Sequence, residues 1–292
     1  MIQNNVIPWR HKTYKARLKM AIKICAAWCG VPGVLVALLL MLPGPASAVE
    51  DDDGIVTDRP DFVESSNVVG KGRFQVETSI AVERDRADGV KLRTVSTPTL
   101  LRFGVAEDWE LRVESDGRLR ATAHDPATGQ RLRENGYADT AVGVKWHMVD
   151  DEGARPSMGL LAHWDLDTGS APFRAPGKGG SLRVVAEWEL PGDLGLGVMP
   201  GVAWQRNDGG QRFTSGIFAV VLGKEWNDGL RTFVEYSAQQ IAHARDGGSI
   251  NTLDVGAAWL LGKSVQVDTA VSRALNKNTP DWSWTVGLSL KF

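Results

Sequence analysis

The sequence predicts an all-β fold, a transmembrane antiparallel up-and-down β-barrel of about 12 strands preceded by a signal peptide. Three observations carry this. Segments of about ten residues alternate apolar and polar side chains along most of the chain. The connections between them alternate long and short. Aromatic residues gather near the segment ends, as suits rings at the headgroup level of a bilayer.

The N-terminus comes first. Residues 1–48 hold six basic residues (Arg10, Lys12, Lys15, Arg17, Lys19 and Lys23) and no acid. An apolar run from Val31 to Leu42 leads to Ala46-Ser47-Ala48. A basic region, a short apolar core and a small-x-small site make a secretory signal peptide, with cleavage expected after Ala48. The run is shorter than the ~20 residues that span a bilayer as a helix. Met20 is an alternative start. Processing removes six of the 33 basic residues and none of the 35 acids, so the mature net charge is −8. Cys25 and Cys29 leave with the signal, which excludes a disulfide or a thiolate metal site. The acidic balance argues against nucleic acid as a partner.

Residues 49–72 read as an N-terminal periplasmic or plug-like segment and 73–292 as the barrel. The last strand is the clearest. Trp282, Trp284, Val286, Leu288, Leu290 and Phe292 alternate with Asp281, Ser283, Thr285, Gly287, Ser289 and Lys291. The same pattern places strands near 73–84, 92–103, 109–119, 137–149, 156–167, 181–191, 194–205, 214–225, 229–240, 250–261, 264–273 and 281–292. Tilted strands of ~9–11 residues cross a bilayer. The expected long connections are 85–91, 120–136, 168–180, 206–213, 241–249 and 274–280, all on one side. Bacterial barrels carry long loops outside and short turns in the periplasm, with an even strand number. Backbone amides in hydrocarbon must all be paired, so a β-protein crosses only as a closed barrel.

The segment Ile55-Val56-Thr57-Asp58-Arg59-Pro60-Asp61-Phe62, followed by Val63 to Val69, resembles the start of a family of outer-membrane transporters named for the meta-pathway of phenol degradation. Thr97 to Gly104, Trp109-Glu110-Leu111-Arg112 and Asn276 to Trp282 extend the similarity. The resemblance implies an outer-membrane barrel that passes small solutes, aromatic ones among them. It supports the location more strongly than the substrate.

Alternation assigns an inward face, where a pore would be lined. Its charged members include Glu77, Arg102, Arg112, Glu114, Lys145, His163, Arg183, Glu187, Arg231, Glu235, Asp254 and Asp268. The same parity places Arg118, Lys224 and Gln239 inside. Interspersed signs suit a hydrated selective pore or, equally, a lumen closed by salt bridges; twelve strands fall between barrels filled by side chains and open porins. The Asp58, Arg59, Pro60 and Asp61 motif reads either as a plug in the lumen or, more plainly, as a turn capping the first strand. Phe292 is the expected aromatic signal for the barrel-assembly machinery, as resemblance to outer-membrane proteins implies. Membrane lipid and lipopolysaccharide are the other expected partners, with a small-molecule solute as cargo. No cofactor, metal or catalytic group is expected: His147 and His163 have inward parity and no G-x-S-x-G occurs. A structural or adhesive barrel is the alternative to a channel, and an outer-membrane hydrolase a more distant one.

Overall fold

The computed structural model describes residues 54–292 except residue 208. The expected signal peptide and residues 49–53 lie outside the described residues. Fifteen strand segments form one antiparallel sheet: β1 (Phe74–Ala87), β2 (Val90–Ser96), β3 (Thr99–Ala106), β4 (Trp109–Ser115), β5 (Arg118–His124), β6 (Arg131–Tyr137), β7 (Thr140–Val149), β8 (Ser157–Leu166), β9 (Gly179–Leu190), β10 (Leu194–Arg206), β11 (Arg212–Asn227), β12 (Leu230–Ile241), β13 (Ile250–Leu260), β14 (Val265–Ala274) and β15 (Trp282–Lys291). Three pairs are single strands interrupted once: β2 with β3, β4 with β5, and β6 with β7. Twelve strands result. β15 pairs back onto β1 from Gln75↔Lys291 to Arg84↔Trp282 and closes the wall.

The outward faces follow the alternation. Ile80, Leu111, Leu182, Phe218, Val255 and Leu288 are all exposed large hydrophobics. On an open sheet this surface would aggregate; on a closed barrel it meets lipid. Trp109 stacks on Trp146 at 5.3 Å near the short-turn end, and Phe74 stacks on Phe292 where the barrel closes. Trp164, Trp204 and Trp284 are exposed toward the other end.

Two expected long loops are instead mostly strand. Where 85–91 was expected as a loop, β1 and β2 continue to a two-residue turn at Asp88 and Gly89, both with positive φ. Aspartate and glycine accept that conformation, which matches the twist of a hairpin. Of 120–136, only residues 125–130 lie outside the paired strands β5 and β6. Short alternation among charged residues is a weak strand signal, so sequence alone stopped these strands at the membrane.

The interruptions lie side by side at 97–98, 116–117 and 138–139, and Thr97, Asp116, Gly117 and Ala138 bond to one another across them. Gly117 has φ 64 and inserts one extra residue relative to β2 and β3. An extra residue swaps the faces of everything beyond it. In β4 Arg112 and Glu114 are buried, whereas in β5 Leu119 and Ala123 are buried and Arg118 is exposed. The inward assignment of Arg118 is thereby corrected. A bulge between Ala238 and Gln240 likewise buries Gln240 in place of Gln239. Lys224 also leaves the lumen: β11 buries Ser215, Ile217, Ala219 and Val221, and Lys224 on the other parity bonds the Gly192 carbonyl and Asp193 at a turn.

Candidate functional site

The lumen is organised around residues 55–69, which lie inside the barrel. They bond to side chains of β1, β3, β4, β7, β8, β9, β12, β14 and β15. The expectation that Asp58 to Asp61 cap the first strand does not describe this placement. Asp58 accepts one local bond, from the Ser65 amide, but its carboxylate otherwise meets the far wall. Arg59 and Pro60 are joined by a cis peptide.

Charge on the segment meets opposite charge on one side of the wall. Asp58 lies 2.8 Å from Arg112, 2.8 Å from Lys145 and 3.4 Å from Arg102. Glu64 pairs with Arg112 at 2.8 Å and with Arg183 at 2.9 Å. Arg102 also reaches Glu77 at 3.0 Å and Glu110 at 2.9 Å. Four carboxylates thus face four cations, every one of them buried. Buried ions persist only when paired and hydrogen-bonded, and here Arg102 and Lys145 also find backbone acceptors. Arg102 donates to the carbonyls of Val56 and Asn67, and Lys145 to that of Ser65.

The rest of the segment is held by single charged anchors. Arg231 pairs with Asp61 at 2.7 Å, and Arg59 with Asp268 at 3.0 Å. The Glu235 carboxylate accepts from the amides of Phe62 and Val63, and Glu187 from the Ser66 amide and hydroxyl. Carboxylates that accept backbone N–H groups make charge-assisted bonds, the stronger kind. Small residues on the wall make room for the segment. A Cβ on Gly197 would come within 2.9 Å of Val63, and one on Gly287 within 2.6 Å of Arg59.

The wall from β8 to β14 also carries an apolar strip, beside the anchors Arg231, Glu235 and Asp268. Phe62 and Val63 pack with Leu161, Val185, Met199, Ala203, Ile217, Ala219, Val221, Phe233 and Ala270. All the wall members project inward from β8 to β14. This strip was not anticipated: the inward residues of β10 and β11 are small or apolar on both faces, so alternation between polar and apolar is lost there. The signal available was the run Gly216 to Gly223, which contains no charged residue.

Each charged inward residue expected from the sequence can now be placed. Glu77, Arg102, Arg112, Lys145, Arg183, Glu187, Arg231, Glu235 and Asp268 all contact the N-terminal segment. Glu114, His163 and Asp254 do not. Glu114 and His163 approach each other at 3.5 Å on the other side of the segment from the periplasmic mouth, and Asp254 accepts from Thr252 and Ser237. Among the described residues no group of His, Cys, Asp and Glu side chains is arranged to hold a metal ion. His147 bonds Asp150 and the Ser66 carbonyl. Toward the periplasmic mouth, a chamber of about 530 Å³ opens between the segment and the turns, bordered by Asp61, Glu187, Trp188 and Leu260. On the outer side the loop after β8 folds over the lumen. Asp139 accepts from the Gly169 and Ala175 amides, and Phe173 packs on Leu119 and Ala138.

Over residues 57–292 the sequence matches the family described as "Putative MetA-pathway of phenol degradation". The chain belongs to this family. No curated protein matches it in sequence. In fold it is similar to the COG4313 outer membrane channel from Pseudomonas putida F1, at 13% identity and a TM-score of 0.55, covering 80% of this chain and 99% of the channel. The β domain of the Bordetella autotransporter BrkA is similar at 12% identity and a TM-score of 0.48, covering 75% of this chain and 99% of that domain. The family member described here has the closed fold of the outer-membrane channel, with an outward apolar band of the kind such a barrel turns to the bilayer.

Proposed function

We propose that the protein is an outer-membrane channel for small apolar solutes, aromatic ones among them, and that its N-terminal segment closes it at rest. One observation carries the reading: the segment is tethered by charged groups around the lumen, while between β8 and β14 its Phe62 and Val63 side chains rest on an apolar strip. Ion pairs hold position, because breaking one leaves an uncompensated buried charge. The apolar side resists displacement less specifically, since hydrophobic contact is non-directional. A small apolar solute can take the place of the Phe62 and Val63 side chains against the wall while their amides keep their bonds to Glu235. The 530 Å³ chamber beneath provides an exit on the periplasmic side; ligand-sized sites span ~300–1,000 Å³. The reading assigns no catalytic residue.

The test compares cells with and without the protein for initial uptake of dilute labelled toluene and of a disaccharide. Faster toluene entry with unchanged disaccharide entry is expected. Equal toluene entry in both strains, with the barrel folded in the membrane, would favour the structural or adhesive reading.

The same reading includes assembly through the barrel-insertion machinery, with Phe292 as its recognised end. Phe292 is exposed and its backbone pairs with that of Phe74, where the barrel closes. Removing Phe292 is expected to lower the amount of heat-modifiable, protease-resistant barrel in the outer membrane several-fold. An undiminished amount would contradict this role.

A further inference from the structure

We infer that the sheet extension formed by the end of β1 with β2, β5 and β6 is a docking surface for the phosphorylated glycolipid headgroups of the outer leaflet. The extension departs from the barrel wall at the three aligned interruptions. Its register places two complete cross-strand rows on one face. The first is Arg84–Arg93–Thr122–Arg133 and the second Arg86–Lys91–His124–Arg131. Arg120 lies one row nearer the membrane, opposite Val95 and Asn135. The arginines and the lysine of this face are exposed.

The charges are sorted by face. The acids of its paired strands, Glu83, Asp85 and Glu134, have the opposite parity and point to the lumen side, and Asp88 and Asp125 lie in its two turns. Among the described residues none of the cations in the two rows forms an ion pair with a carboxylate; Arg84 instead stacks over Trp282 at 4.9 Å. Arg84 stands directly opposite Arg93, and Arg86 opposite Lys91. Like charges in that position destabilise a sheet. A folded protein with a mature charge of −8 that gathers cations in this way, unpaired, presents a site for an external anion.

Position selects the anion. This face continues the lipid-facing stripe of β1, where Ile80 and Val82 precede Arg84 and Arg86. Arg84 pairs in register with Trp282, a member of the outer aromatic belt. The second row is two residues further along, roughly 7 Å. The cations therefore stand at headgroup height immediately beside the bilayer, and not over the pore. Arginine suits the ligand, because its planar fork binds phosphate oxygens in pairs. The parity swap at Gly117 is what turns Arg118 and Arg120 onto this face.

Full-length protein purified in non-ionic detergent tests the assignment by native mass spectrometry. The probes are bisphosphorylated lipid A, lipid A stripped of both phosphates, and phosphatidylcholine. Bisphosphorylated lipid A should bind at least about tenfold more tightly than either other lipid, and increasingly so at low salt. The quadruple variant Arg84→Gln, Arg93→Gln, Arg131→Gln and Arg133→Gln should lose that preference, whereas lysine at the same four positions should keep most of it. Heat-modifiable migration reports whether each variant is folded. If the glutamine variant does not fold, the phosphate and salt dependence of the unaltered protein decides. Equal binding of phosphate-free lipid A, an undiminished preference in a folded glutamine variant, or displacement of lipid A by inorganic phosphate or a short oligonucleotide at equal concentration would each overturn the proposal.

Discussion

Deleting residues 50–66 should convert a nearly silent barrel into an open one, raising single-channel conductance in planar bilayers at least about fivefold. A barrel of twelve strands encloses more space than its own side chains fill, and here the remainder is occupied by the segment. Its removal strands Arg102, Arg112, Lys145 and Arg183 with only the wall carboxylates Glu77 and Glu110 as partners. Those cations would then be solvated by water entering from the 530 Å³ chamber, and Glu187, Glu235 and Asp268 lose their segment partners as well, so the opened lumen carries both signs and weak ion selectivity is expected. Reversal potentials in a salt gradient measure that selectivity. Unchanged conductance in a folded deletion variant would remove the segment from any gating role.

Asp58→Ala should be the most damaging single substitution in the lumen. The Asp58 carboxylate is the shared partner of Arg112, Lys145 and, at 3.4 Å, Arg102, with every group fully buried. Taking one partner from a buried ion pair costs about 3–5 kcal/mol, because the other is left charged and unsatisfied. Here three cations lose a partner together. The expected result is a loss of at least about 3 kcal/mol, read from urea unfolding of the barrel in lipid or detergent. Cleavage of the N-terminal segment by a periplasmic-side protease should rise in parallel. Adding Lys145→Met should recover part of the loss, since it removes one of the stranded cations. A cost below about 1 kcal/mol for Asp58→Ala would mean that water or neighbouring carboxylates compensate, and that the ion cluster does not anchor the segment.

Both results depend on a division of the lumen that neither wall nor segment has alone. The charged side fixes the segment by directional bonds of known partners. The apolar strip, from Leu161 to Ala270, adds non-directional packing between the anchors Arg231, Glu235 and Asp268. Substitutions on the two sides should therefore differ in kind: those on the charged side alter stability and closure, and those on the apolar side alter which solutes compete with Phe62.

Much of this architecture was legible in the residues themselves. A strict period of two over Trp282 to Phe292, repeated along the chain, determined the class of fold, the strand number and the outward faces, because a barrel wall in lipid tolerates no exception on its outer side. Where a strand is regular, the same parity determined which charged residues point inward, from Glu77 to Asp268. Tertiary structure decided what local pattern does not contain. A single added residue at Gly117 reversed the faces of β5, and the bulge near Gln239 did the same locally; bulges carry no composition of their own. Strands leaving the membrane lost the apolar face that marks them, so the end of β1, the first residues of β2 and most of β5 and β6 read as loops although their backbones are paired. The motif from Asp58 to Asp61 had no visible partners in the sequence. Its counter-ions lie on strands 44 to 209 residues away, Arg102 and Asp268 at the extremes, and only closure of the barrel brings them around it.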